Sequence, residues 1–175
     1  MKRNLLPQDR VIVGGELNLS PRLGMRGVRE ASDRTLRLAD ALAGTGVFLK
    51  TNALVRANGY GFIKEVRSRG LRPFVDAKFF DIENTLKRDG ILLGPYAPDL
   101  VTVACVSGVK AMMALRKQLP KATRILGVTI LTGLEESECV DIFGMSLQTA
   151  VRRLATLAVR AGLDGVVVAP KEIGM

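Results

Sequence analysis

Short apolar or β-branched runs recur along this chain at the spacing of a repeating strand–helix unit. They fall at Arg10–Gly14, Val47–Thr51, Arg72–Phe79, Leu100–Ala104, Arg124–Leu131 and Gly165–Ala169. Equivalent positions at Val11, Val47, Phe74, Val101, Val128 and Val166 lie 36, 27, 27, 27 and 38 residues apart. The segments between them carry helical periodicity: Leu38, Ala41 and Leu42 share one face, and Val109–Leu119 and Leu147–Ala161 repeat the pattern. Strands alternating with helices build βαβ units and a parallel sheet. Nearly unbroken apolar strands such as Ile125–Leu131 suit a sheet that helices cover from outside. Two architectures satisfy this pattern, an α/β barrel and an open doubly wound sheet. No Gly-x-Gly-x-x-Gly follows a strand to support a dinucleotide-binding version of the open sheet.

The 175 residues suffice for one domain with a sizeable core. An eight-stranded α/β barrel takes ~250 residues, so a barrel reading leaves two strand–helix units outside this sequence. No apolar run approaches the length of a membrane span, and the first ten residues lack the apolar core of a secretory signal. The sequence contains no histidine, and its two cysteines, Cys105 and Cys139, have no metal-ligand spacing. Histidine acid–base chemistry is therefore excluded, no metal is expected, and two free thiols fit a reducing cytoplasm. The net charge of +9 is scattered along helical segments, as in Arg22, Arg26, Arg29, Arg34 and Arg37. Scattered charge is a solvated face rather than a nucleic-acid footprint, and a phosphorylated metabolite accounts for the surplus equally well.

Chemistry concentrates in Val75–Asp76–Ala77–Lys78–Phe79–Phe80–Asp81–Ile82–Glu83–Asn84–Thr85. Strand alternation puts Asp76 and Lys78 on one face. Charges in so apolar a strand must pair inside or sit at its C-terminal mouth. Lys50 ends another apolar run, and Asp81 follows where the third strand should stop. The C-terminal ends of barrel strands are where such enzymes keep their catalytic groups. Lys50, Asp76, Lys78 and Asp81 thus read as an alternating charged array.

The string Asp76-x-Lys78-x-x-Asp81-Ile82-x-Asn84-Thr85 resembles the third-strand signature of the orotidine 5′-phosphate decarboxylase family. Phe48–Leu49–Lys50–Thr51, Gly127–Gly133 and Gly162–Val168 resemble the second, fifth and sixth strand segments of that family, in order. The resemblance implies a (β/α)8 barrel of the TIM type, about six of its eight units being present. It implies a cofactor-free carboxy-lyase that converts orotidine 5′-phosphate to UMP in pyrimidine biosynthesis. Lys78 is implied as proton donor, with Asp76, Lys50 and Asp81 completing the catalytic set. Substrate contacts are implied for Lys50, at a ribose hydroxyl, for Thr132, at the pyrimidine, and for Thr85. Glu16 stands where the family's ribose-binding aspartate is expected. Asp81 and Thr85 are implied to reach the neighbouring subunit's site in a homodimer. Strand four, Val101–Thr102–Val103–Ala104–Cys105, lacks the histidine common there. The phosphate-gripping arginine is expected in the two units beyond Met175. Two rival readings stand beside this one. One is a Mg2+-dependent sugar-phosphate decarboxylase or synthase sharing the Asp-x-Lys-x-x-Asp core, and the other a non-catalytic barrel fragment that binds a partner.

Overall fold

The structure, a computed structural model, describes residues 6–16 and 24–174. Six strands, β1 (Ile12–Gly14), β2 (Phe48–Thr51), β3 (Arg72–Phe79), β4 (Leu100–Ala104), β5 (Arg124–Val128) and β6 (Gly165–Val167), form one sheet in sequence order. The pairs β1–β2, β2–β3 and β5–β6 run parallel, with Lys50 opposite Phe74 and Gly127 opposite Val166. Helices occupy the connections: α1 (Gly24–Ala41), α2 (Ala53–Asn58), α3 (Gly61–Arg67), α4 (Glu83–Leu93), α5 (Gly108–Gln118), α6 (Glu136–Phe143) and α7 (Leu147–Arg160). This is the α/β architecture of a (β/α)-barrel chain, with strand order following sequence order as in a barrel.

Two compact units share the chain: Met1–Ala77 with Tyr96–Leu100, and Lys78–Pro95 with Val101–Met175. In the first, Leu49, Leu54, Val55, Ile63, Val66 and Val75 are at most 2% exposed. Burying such a side chain contributes roughly 1.5–3 kcal/mol. The lower end of this unit is tied by Arg72, whose guanidinium stacks 3.9 Å above the Phe48 ring. Its Nη2 donates to the Gln8 carbonyl at 2.7 Å, and its Nη1 pairs with Asp9. Pro7–Arg10 therefore forms a 3-10 turn strapped under the sheet, and pairing begins at Ile12 instead of Arg10.

In the second unit Leu86, Leu93, Val101, Met112, Leu115 and Ile125 make the core. Helices α4 and α5 approach closely at Gly90, where an added Cβ would lie 2.7 Å from Gln118 Cβ. That contact explains a glycine in the middle of a helix, which costs about 1 kcal/mol in intrinsic propensity. Asp89–Gly90 has the form of a turn signal in sequence, yet both residues are helical. Strand β5 stops at Val128, short of the expected Leu131. Thr129 still donates to the Val167 carbonyl at 3.0 Å, but Leu131 turns out to solvent and starts a tight turn closed by Leu134. Strand β6 likewise stops at Val167, because Pro170 fixes a 3-10 turn over Pro170–Glu172.

Candidate active site

Lys50 and Asp76, two of the charged residues read from the sequence, meet near the C-terminal ends of β2 and β3. Lys50 Nζ lies 3.5 Å from Asp76 Oδ2. The Asp76 side chain is only 10% exposed, whereas that of Lys50 is 40% exposed. A buried carboxylate needs such a partner, and the register that sets Thr51 opposite Val75 brings the two strand ends together.

Lys78 follows two residues later, and its backbone departs from the expected pleat. Its φ is 49°, left-handed for a residue with a Cβ, so regular alternation ends at Ala77 and does not place the Lys78 side chain. Left-handed geometry costs a non-glycine residue on the order of 1–2 kcal/mol. It persists where surrounding contacts over-determine it, often at functional sites. Here the Lys78 N–H donates to Thr102 Oγ1 at 2.9 Å, and Thr102 is fully buried in β4. Thr102 was not singled out from sequence, although one signal was present. A lone hydroxyl in the apolar strand Leu100–Ala104 must find a polar partner.

Lys78 lines a cavity of about 320 Å3 whose walls are otherwise nearly all apolar, including Phe80, Ala104, Val128, Ile130, Ile142 and Phe143. An ion acts more strongly there than in water.

Each of the remaining expected site residues has its own local setting. Asp81 is exposed before α4, and its Oδ1 accepts from the Ile82 N–H at 2.7 Å. Its charge is felt by Asp89, whose carboxyl is pushed above the usual range by burial first and by Asp81 second. Thr85 is half-buried in the first turn of α4. Thr132 is exposed on the loop after β5 and faces a separate depression with Glu135, Gln148 and Lys171, not the cavity lined by Lys78. Glu16 has a local structural task. Its Oε1 accepts from the backbone N–H groups of Asn52 and Leu54 at the start of α2, where a carboxylate also favours the helix dipole. Cys105 is buried and its thiol is pushed up to about 11 by burial, so it is an inert core residue.

Comparison with known proteins identifies the family and the fold. Residues 25–175 match the family model described as orotidine 5′-phosphate decarboxylase / HUMPS family. The orotidine 5′-phosphate decarboxylase of Pseudomonas entomophila is 32% identical over 146 residues, covering 80% of this chain and 63% of that enzyme. The chain thus spans less than two thirds of this curated relative's length. Among solved structures, an uncharacterized conserved protein from Geobacillus kaustophilus superposes with a TM-score of 0.80 at 26% identity, covering 93% of this chain and 75% of that one. Orotidine 5′-phosphate decarboxylase from Lactobacillus acidophilus gives 0.69 at 25% identity, covering 80% and 68%. By the match over residues 25–175, the chain belongs to the orotidine 5′-phosphate decarboxylase / HUMPS family.

Proposed function

We propose that the protein containing this chain decarboxylates orotidine 5′-phosphate to UMP, with Lys78 as proton donor. The observation that carries the reading is the placement of Lys78 in an apolar cavity, two residues beyond the buried Asp76 that pairs with Lys50. In the proposed reaction the bond from C6 to the carboxylate breaks, CO2 leaves, and its electron pair stays on C6. The Lys78 ammonium stabilises that charge through a preorganised, water-poor site. It then transfers one proton to C6 and regains one from solvent. Asp76 would lie beside the substrate carboxylate, and Lys50 would hold Asp76 and a ribose hydroxyl.

Asp81 and Thr85 are proposed to serve the neighbouring subunit's site in a homodimer. Exposed Phe80 and Ile82, flanking Asp81, are suited to such an interface. Thr132 is proposed to contact the pyrimidine, which would require the loop after β5 to move inward on binding. Glu16 is proposed to reach the ribose from the start of α2. The nucleotide is the expected partner and the cytoplasm the expected location. Among the described residues no helix is long and apolar enough to cross a membrane.

The test is to express the whole gene product that includes residues 1–175 and follow the absorbance of orotidine 5′-phosphate in EDTA. The expected result is loss of substrate with equal formation of UMP and CO2. Turnover of a sugar phosphate only, restored by Mg2+, would move the protein to the Mg2+-dependent branch of its family. Turnover of neither would leave the reading without support.

A further inference from the structure

We infer that Thr102 is a positioning residue for Lys78: its buried hydroxyl holds the lysine's backbone in the left-handed conformation from which the side chain lines the apolar cavity. The inference rests on the decarboxylase reading above and adds to it a residue outside the charged array. Three observations carry it. Lys78 is one of two non-glycine residues with positive φ among the described residues, the other being Ala97. Its N–H is bonded to Thr102 Oγ1 at 2.9 Å. Thr102 is fully buried in a strand whose other members are apolar, and Ala104, two positions along β4, lines the same cavity as Lys78. Alternate residues of a strand share a face, so β4 presents Thr102 and Ala104 on one side.

A hydrogen bond to backbone N–H fixes φ more directly than any contact at the end of a four-carbon side chain. Without the acceptor, the Lys78 backbone can relax toward the extended region that a Cβ prefers. That swings the direction in which the side chain leaves the strand. A catalytic group misplaced by about 1 Å can cost on the order of 100-fold in rate, so a hydroxyl that touches no substrate would still set the rate.

Thr102→Val keeps the shape and removes the acceptor, while Thr102→Ser keeps the acceptor and removes a methyl. In the full gene product, Thr102→Val is expected to lower kcat roughly 30-fold with KM for orotidine 5′-phosphate within about threefold, whereas Thr102→Ser stays within about threefold of wild type in both. Thermal unfolding of each variant separates loss of fold from loss of rate. A merely structural hydroxyl would lower the unfolding midpoint and leave kcat per folded molecule unchanged, which overturns the inference. Equal loss of kcat in the valine and serine variants overturns it as well, since packing rather than the hydroxyl would then matter. If Thr102→Val does not fold, Thr102→Cys, with its weaker acceptor, replaces it under the same criteria. A wild type inert toward the substrate sinks the decarboxylase reading and this inference with it. An active wild type with an undiminished valine variant sinks the inference alone.

Discussion

Replacing Lys78 by alanine is expected to reduce decarboxylation of orotidine 5′-phosphate by at least about 1,000-fold while UMP still binds within about tenfold. General acid catalysis contributes typically 100- to 10,000-fold, and loss of a single preorganised electrostatic group costs about 100- to 1,000-fold. Lys78 is proposed to supply both, so the larger figure applies. Binding should survive, because the cavity walls at Val128, Ile130 and Phe143 are untouched and make most of the surface against a ring. The fold should survive too. Alanine meets the left-handed backbone with the same Cβ as lysine, and the bond from the residue 78 N–H to Thr102 Oγ1 uses no side-chain atom of residue 78. The check is steady-state kinetics beside a titration with UMP. Retention of more than a tenth of wild-type kcat would remove Lys78 from the chemistry.

The second large effect is expected at Asp76. Asp76→Asn should lower kcat/KM about 100-fold or more with little change in unfolding midpoint. Breaking a fully buried ion pair leaves a stranded charge and destabilises by about 3–5 kcal/mol. Here the residue left behind is Lys50, 40% exposed, which water can solvate. The asymmetry of burial therefore sends the loss into activity rather than stability. In the proposed mechanism Asp76 fixes Lys50 and lies beside the substrate carboxylate, and asparagine fills the same volume without the charge. A kinetic profile of the variant across pH, with thermal melts alongside, checks this. Collapse of the fold at unchanged activity per folded molecule would contradict it.

Much of this was legible from residue order. The strand positions around Phe74, Val101, Val128 and Val166 all fall in strands, and the alternation predicts the parallel sheet that forms. The array of Lys50 and Asp76 followed from the cost of charge in apolar strands, whereas strand alternation, which set Asp76 and Lys78 on one face, stops before Lys78. Four things were hidden, each for a physical reason. The left-handed backbone at Lys78 is bonded to a hydroxyl 24 residues away, and strand periodicity carries no such information. Helix α4 contains Gly90, whose value lies in a close approach to α5 that no local propensity reports. Glu16 caps α2 from 36 residues away along the chain, a task decided only when β1 and β2 are paired. The wall of the cavity at Ile142 and Phe143 was also out of reach, because α6 is a short helix placed by tertiary packing.

In the proposed reaction C6 of the pyrimidine meets the Lys78 ammonium. A crystal structure of the full gene product with UMP bound tests it most directly. C6 is expected within about 3 Å of Lys78 Nζ, the distance at which a proton can pass, with the ring inside the apolar cavity. A nucleotide seated elsewhere, or a ring whose C6 faces away from Lys78, would contradict it.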